Sequence, residues 1–388
     1  MMIKRSGEVA GKALQIIGSF TLLVIMASAW VAGAPALAAQ GDSARGEEAL
    51  RSSGCGRCHA LGETGGGTAP DLARRTARDY APTSVAAVIW NHEAAAWAHP
   101  DGESADARAE GEAADVFAYF CSRRYFDSFG SAKRGKEFFE DSGCAGCHGG
   151  AAALSGSAPE AARWEFLRDP IAEAQWIWNG SVAMRKAAAE RKDVHLPQVT
   201  AQELNDLFLY LENLPRNRGQ EPHFSLASAE EGHAVFNNKG CAKCHQAAPV
   251  IENRSARFTL TDVAAALWRH DLRRVENRQP FSYDEMSGVV AYLWAANTCG
   301  APARGQRVFE TAGCTSCHDG AGTANRSAPA QIAEDGDVST SIVGLLWEHG
   351  PTMRAQMQKN GIAWPRLDGK EMADLGAFLR TAFGQEKP

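Results

Sequence analysis

The sequence predicts an all-α protein built from four tandem copies of one small helical unit. The first observation is self-similarity, because four segments align without gaps. Arg45-Gly46 leads through Leu50 and Gly54 to Cys55, and Arg134-Gly135 leads through Phe139 and Gly143 to Cys144. Glu231-Gly232 leads through Phe236 and Gly240 to Cys241, and Arg304-Gly305 leads through Phe309 and Gly313 to Cys314. A repeat in fixed phase says more about architecture than local propensity does. The second observation is that each copy carries a Trp in a helical stretch and closes on an acidic-then-apolar helix. The third is composition: 388 residues, 45% hydrophobic and 22% charged, are the values of a globular chain rather than a disordered or polytopic membrane one.

The N-terminal segment, residues 1–38, reads as an export signal. Lys4, Arg5 and Lys12 precede an uncharged stretch from Ala13 to Gln40, and Ala36-Leu37-Ala38 supplies a small-residue cleavage pattern. A retained anchor is the alternative, since the stretch is long enough to span a bilayer and its basic flank obeys the positive-inside rule. Either way the chain is expected in the periplasm or on the outer face of the cytoplasmic membrane. Removing residues 1–38, with three basic and one acidic side chain, takes the net charge from −6 to −8. That balance argues against nucleic-acid binding and favours partners with a basic docking surface.

Within each copy the elements follow in order. A glycine directly before the first Cys, with an apolar residue four positions before the glycine, marks the end of a short amphipathic helix, because glycine takes up the left-handed conformation that closes helices. Next come the tryptophans, Trp90, Trp178, Trp268 and Trp347. The closing helices run from Glu112 to Phe120, Glu203 to Leu211, Asp284 to Leu293 and Glu371 to Leu379. Their acidic first turns suit the helix dipole. First cysteines are 89, 97 and 73 residues apart, giving expected domains 43–128, 129–222, 223–298 and 299–388.

The chemistry-bearing motif is Cys-x-x-Cys-His. It is present as Cys55, Cys58 and His59, as Cys144, Cys147 and His148, as Cys241, Cys244 and His245, and as Cys314, Cys317 and His318. The spacing reads as attachment of haem c: two thiols one turn apart form thioethers to the vinyl groups, and the adjacent imidazole is held over one face of the iron. A structural zinc site would need two further ligands at recognisable spacing, and each copy lacks a second Cys-x-x-Cys or His-x-x-x-His. A thioredoxin-like site would need a βαβ setting, for which there is no strand pattern. Units of this size have marginal apolar cores, and an embedded porphyrin fills them.

Taken together, the Arg-Gly-x-x-x-Phe lead, Gly-Cys-x-x-Cys-His, a Trp helix with a Met and the closing helix resemble class I cytochrome c over nearly all of the chain after residue 38. In the fourth copy, Leu346-Trp347-Glu348-His349-Gly350-Pro351-Thr352-Met353 is similar to the Leu-Trp-x-His-x-Pro-x-Met stretch of one group of bacterial monohaem domains. The resemblance implies an all-α fold wrapped around each of four covalently bound haem c groups. It also implies electron transfer between redox protein donors and acceptors, for instance within a membrane respiratory or dehydrogenase complex.

Axial ligands control haem potential, Met raising it relative to His. Met184 and Met353 each lie six residues after the repeat Trp and are the expected sixth ligands in the second and fourth copies. Met357 is the runner-up in the fourth, but its counterpart is Ala188, and Met286 and Met372 fall in closing helices where packing explains them. The first and third copies carry Ala96 and Arg274 at the methionine position. His92 or His99 in the first copy, and His270 in the third, are then the candidates. His92 and His270 both follow the Trp by two and precede the missing Met by four, so they share its helix face. If they are instead distal acid-base groups over an open iron, the chain is a peroxidase-like or small-ligand-reducing enzyme. His195, His223 and His233 have no repeated counterpart and read as surface or packing residues. Arg185 and Arg354 follow the two methionines and are candidate partners for propionates. Cys121 and Cys299 stand outside the motifs, either as a disulfide or as buried thiols.

Overall fold

The computed structural model describes residues 41–74, 81–92, 112–149, 158–191, 194–245, 259–270, 279–297, 300–318, 344, 350 and 352–383. The described chain is all-α. Four opening helices, α1 (Ser43–Ser52), α4 (Ala132–Asp141), α7 (Ala229–Asn238) and α10 (Pro302–Thr311), begin the four repeats. Three of them start on a side chain that accepts from early backbone N–H groups, Asp42, Ser131 and Ser228, and the fourth starts on Pro302, whose missing N–H is no loss there. Each is followed by the expected left-handed glycine, with φ of 82° at Gly54, 84° at Gly143, 80° at Gly240 and 78° at Gly313.

The closing helices are α3 (Glu112–Ser122), α6 (Ala201–Glu212), α9 (Tyr283–Asn297) and α11 (Gly369–Phe383). Each crosses its opening helix at the glycine of the Arg-Gly or Glu-Gly pair. A Cβ on Gly46 would lie 1.9 Å from the Asp115 carbonyl oxygen, on Gly135 1.9 Å from that of Asp206, on Gly232 1.7 Å from that of Gly288, and on Gly305 1.9 Å from that of Asp374. Backbones this close admit no side chain. Gly135→Ala and Gly305→Ala are each expected to cost about 3 kcal/mol, the upper end of overpacking penalties, measured as a lowered denaturation midpoint at unchanged slope.

An ion pair clamps the crossing in three of the four repeats. Arg45 Nε and Nη2 donate to the two Asp115 oxygens at 2.9 and 2.8 Å, Arg134 to those of Asp206 at 2.6 and 2.7 Å, and Arg304 to those of Asp374 at 2.7 and 2.8 Å. The same carboxylates accept the backbone N–H of Asp42, Ser131 and Ala301. For Asp374, burial pushes the carboxyl up, but Arg304 and the Ala301 N–H outweigh it and hold it below the usual range. The third repeat has Glu231 and Gly288 at these positions, and the strap is rebuilt on Ser287, which accepts from Ala227 N (2.8 Å) and donates to the Ser225 carbonyl (2.6 Å).

Between the helices of each pair lie the tryptophan helices, α2 (Pro82–Asn91) in the first repeat, α5 (Pro170–Ala189) in the second and α8 (Leu260–Arg269) in the third. Trp347 and His349 lie outside the described residues, as do residues 1–38. Among the described residues four two-residue strands interrupt the helical pattern: β1 (Gly41–Asp42) pairs antiparallel with β4 (Ser225–Leu226), joining the starts of repeats 1 and 3, and β2 (Ala60–Leu61) pairs with β3 (Thr64–Gly65). Such short ladders carry no period-2 signal, which is why the sequence did not announce them. Leu50, Phe117, Phe139, Phe208, Phe236, Phe309 and Met372 belong to one continuous buried core. Met286 and Met372 are fully buried in closing helices, as packing residues. Among the described residues no helix is long and apolar enough to cross a membrane.

Candidate functional site

The left-handed glycine turns the chain sharply, so that each Cys-x-x-Cys-His forms a single tight turn. Four residues separate donor and acceptor in the bonds from His59 N to Cys55 O (3.0 Å), His245 N to Cys241 O (3.1 Å) and His318 N to Cys314 O (2.9 Å), while Cys144–His148 forms one α-turn. The two thiols of each motif therefore sit one turn apart. Bonds from the backbone N–H of Cys58, Cys244 and Cys317 to the carbonyls of Cys55, Cys241 and Cys314, at 3.2, 3.2 and 3.1 Å, close those three turns.

The two cysteines of each motif differ in their packing. Cys55, Cys144, Cys241 and Cys314 pack against the core beside their opening helices. These four are half-buried, as are Cys147 and Cys317, whereas Cys58 and Cys244 are exposed. The physical reason is the length of the turn. With one turn only, its first residue abuts the preceding helix, and Cys58, Cys244 and Cys317 cap the far end, at the rim of the pocket. The hydroxyls of Ser53 and Ser142 lie 3.2 Å from the sulfurs of Cys55 and Cys144. Burial pushes the thiols of Cys144, Cys241 and Cys314 up, the last to about 11.

The histidines are oriented by bonds that the sequence reading missed. His59 Nδ1 donates to the Pro70 carbonyl at 2.7 Å, and His148 Nδ1 to the Pro159 carbonyl at 2.8 Å. Each bond fixes the tautomer and leaves Nε2 as a lone-pair donor, the arrangement that ligating imidazoles use. The signal was present: Ala-Pro stands ten and eleven residues after the motif His at Ala69-Pro70, Ala158-Pro159 and Ala328-Pro329. Residues 328–329, and Ala256 at the corresponding place in the third repeat, lie outside the described residues. Burial pushes the His245 imidazole down, favouring its neutral form.

In the first and third repeats a second imidazole faces the first. The His59 and His92 rings have centroids 5.9 Å apart with 36° between planes, and those of His245 and His270 are 5.8 Å apart at 47°. Two imidazole–metal bonds of about 2.0 Å each, plus the ring radii, need roughly 6 Å between centroids, so both gaps admit one metal atom. His92 Nδ1 donates to the Val88 carbonyl at 2.9 Å, which frees its Nε2 as well. Both His92 and His270 stand at the C-terminal cap of their helix, α2 ending at Asn91 and α8 at Arg269. The equivalent helix of the second repeat runs on through Met184 to Ala189. Loss of the methionine thus goes with a shorter helix whose capping residue is the histidine. His99, Ala96 and Arg274 lie outside the described residues.

In the second repeat His148 is buried against Trp164 (5.3 Å, edge-on) and Trp176 (6.1 Å). Met184 is half-buried on α5, with its methyl near Gly180. In the fourth, Phe309 packs on His318 at 6.5 Å, and Met353 lies half-buried against the core in a helical run, 352–359. The Arg185 guanidinium lies 5.9 Å over the Trp268 ring and donates to the Trp268 carbonyl.

Two features fit a large, flat, partly acidic group in these pockets. Trp164 Nε1 and Arg185 Nε are buried with no hydrogen-bond partner, donors of the kind a propionate satisfies. Val88 and Val182, among the few large apolar side chains left 40% or more exposed, stand one turn before His92 and two residues before Met184. An apolar face beside a ligand position is what a porphyrin covers. Among the described residues no three His, Cys, Asp or Glu side chains converge on a common point as a protein-only metal site would need. Cys121 is buried in α3, and Cys299 lies outside the described residues.

Residues 132–215 and 302–383 each match the cytochrome c family model. These are the two repeats that keep a methionine six residues after the tryptophan, and the match carries covalently bound haem c and haem-based electron transfer with it. No curated protein and no solved structure matches the chain significantly.

Proposed function

We propose that the chain is a tetrahaem c-type cytochrome, four tandem cytochrome c domains (43–128, 129–222, 223–298 and 299–388) carrying electrons between redox proteins on the outer side of the cytoplasmic membrane. The observation that carries this reading is the recurrence, in all four repeats, of the left-handed glycine and tight Cys-x-x-Cys-His turn on the same glycine-locked helix pair. The two repeats outside the matched segments share that geometry with the two inside them.

One haem c would be held by Cys55 with Cys58, one by Cys144 with Cys147, one by Cys241 with Cys244 and one by Cys314 with Cys317. His59, His148, His245 and His318 would take one axial position. His92 and His270 would take the other in repeats 1 and 3, Met184 and Met353 in repeats 2 and 4. The facing imidazoles at 5.9 and 5.8 Å support the first assignment. Haem supplies reversible one-electron chemistry at its iron, with potential set largely by the axial pair. The protein's part is to orient the imidazoles through the Pro70 and Pro159 carbonyls, to pack aromatic rings such as Trp164 and Trp176 beside them, and to carry a net negative charge. With a net charge of −6, or −8 once residues 1–38 are removed, docking to a basic redox protein should weaken as ionic strength rises.

Haem stoichiometry tests the reading. Alkaline pyridine spectra and intact mass of the exported protein should give four covalent haems per chain. Two haems per chain, confined to fragments containing Cys144 and Cys314, would overturn it.

A further inference from the structure

The repeats meet one another in an order that differs from their order along the chain. Trp90 Nε1 donates to the Pro365 carbonyl (2.6 Å), and the next residue, Asn91, donates to the Leu367 carbonyl (2.6 Å) and accepts from Leu367 N (3.0 Å). The same three contacts recur elsewhere: Trp178 Nε1 to the Gln279 carbonyl (3.3 Å), Asn179 to the Phe281 carbonyl (3.0 Å), and Phe281 N to Asn179 Oδ1 (2.9 Å). Pro365 and Gln279 hold the same place in the repeat, nine residues before Asp374 and Gly288 at the helix crossings. Repeat 1 is thus docked on repeat 4 as repeat 2 is docked on repeat 3.

In the second couple the contact also runs back, Trp268 Nε1 donating to the Pro197 carbonyl at 2.8 Å, and Pro197 again lies nine residues before Asp206 at its crossing. Repeats 2 and 3 therefore face each other about a local two-fold axis. Three of the groups assigned above as sixth ligands, His92, Met184 and His270, lie at or beside these interfaces. Asn91 directly precedes His92, and the Trp178 ring lies 5.8 Å from His270. Arg185, next to Met184, sits over Trp268, two residues before His270. Trp90 and Trp364 are 4.4 Å apart across the first couple, with Trp364 Nε1 donating back to the Trp90 carbonyl (3.0 Å). The junction of repeats 1 and 2, by contrast, is an ionic cluster around Arg124.

We propose that electrons are exchanged within two cross-paired couples, repeat 1 with repeat 4 and repeat 2 with repeat 3, and that Asn91 and Asn179 are the positioning residues that set each couple. The inference rests on the tetrahaem reading. Electron exchange falls steeply with separation, so the interfaces that lie beside assigned ligands are the ones that exchange. Each couple joins a His/His repeat to a His/Met repeat, and Met raises the potential, so flow within the couples runs from 1 to 4 and from 3 to 2. In each couple one electron would pass from the Fe(II) that the His/His repeat would hold, leaving Fe(III), to the Fe(III) that the His/Met repeat would hold, giving Fe(II). No bond is made or broken, and the electron originates from a one-electron donor protein.

The test uses the full-length, haem-loaded protein in two backgrounds. Met184→His removes the methionine–ferric absorption of repeat 2, so the remaining band reports repeat 4, and Met353→His leaves the band of repeat 2. After a sub-stoichiometric pulse of a radiolytic one-electron reductant, the slow bleaching of that band reports internal transfer. Asn91→Ala, and the isosteric Asn91→Asp, should slow the repeat 4 phase by about ten- to a hundredfold, the scale of losses from misplaced reacting groups. Both should leave the repeat 2 phase unchanged, and Asn179→Ala and Asn179→Asp should do the reverse. Slowing of the repeat 2 phase by the Asn91 variants, or unchanged rates in all four, overturns the pairing. The underlying reading fails separately, through a haem count other than four or a methionine band that survives the double Met184→His/Met353→His change.

Discussion

Arg124→Met is expected to destabilise the folded protein by roughly 3–5 kcal/mol, the cost of leaving buried charge uncompensated. Arg124 is the hinge between repeats 1 and 2, in a left-handed conformation with φ of 54°. Its guanidinium bonds to Glu173, and lies 3.3 Å from Asp127 and 3.5 Å from Glu212. The Glu173 and Asp127 side chains are only 2% and 5% exposed. Arg168 is the other cation nearby, 4.0 Å from Glu212. Burial pulls the Arg124 guanidinium down, but Glu173, Glu212 and Asp127 more than offset this and keep it charged. Urea denaturation of the haem-loaded protein measures the loss. Glu173→Gln added to Arg124→Met should recover part of it, since a neutral amide needs no counter-ion. A loss below about 1 kcal/mol, the range of exposed pairs, would show that the cluster is solvated.

The same cluster sets a pH dependence. Burial pushes Glu173 well above the usual carboxylate range, with Arg124 opposing it. For an acid whose pKa is raised by folding, the unfolded chain ionises first as pH rises. Stability therefore falls from about pH 4.3, the unfolded value, up to the folded pKa, and is flat above it. Glu173→Gln should remove this decline, and urea midpoints taken between pH 5 and pH 8 would show it.

Removing one imidazole of a facing pair should open an iron. The wild-type protein, reduced with dithionite, is expected to bind no carbon monoxide at neutral pH. His92→Ala and His270→Ala should each bind one equivalent per chain, and the double variant two. The change from none to full occupancy follows from geometry, since each ring stands 5.8 or 5.9 Å from its partner with one metal-sized gap between. Met184→His should instead leave the site closed and lower its potential by on the order of 100 mV, within the roughly 0.8 V that axial ligands span. Carbon monoxide binding to the unaltered protein at one or two haems would favour an enzyme with open iron in repeat 1 or 3.

How far the sequence could be read depended on how local the physics is. The turn at Gly54-Cys55 and its three copies is local, since one left-handed residue and one four-residue bond determine it, and the repeat made it legible. The unequal burial of the two cysteines in repeats 1 and 3 was not, because it depends on the helix packed behind the turn. The glycine at each helix crossing was visible as Arg-Gly or Glu-Gly, yet its partner 56 to 71 residues on, such as Asp115 for Gly46, was not, because any residue supplies a carbonyl. The Pro70 and Pro159 carbonyls were marked by a repeated Ala-Pro that only the hydrogen bond to the imidazole explains. The Arg124 cluster and the Asn91–Leu367 docking were invisible. They join residues from different repeats, where neither spacing nor periodicity carries information.

A potentiometric titration of the purified protein, followed optically at the haem and methionine bands, tests the number of haems and their two ligation classes together. Four one-electron steps are predicted in two groups, the lower pair from repeats 1 and 3 without a methionine signature and the higher pair from repeats 2 and 4 with it. Four closely spaced high potentials, or only two haem equivalents, would contradict it.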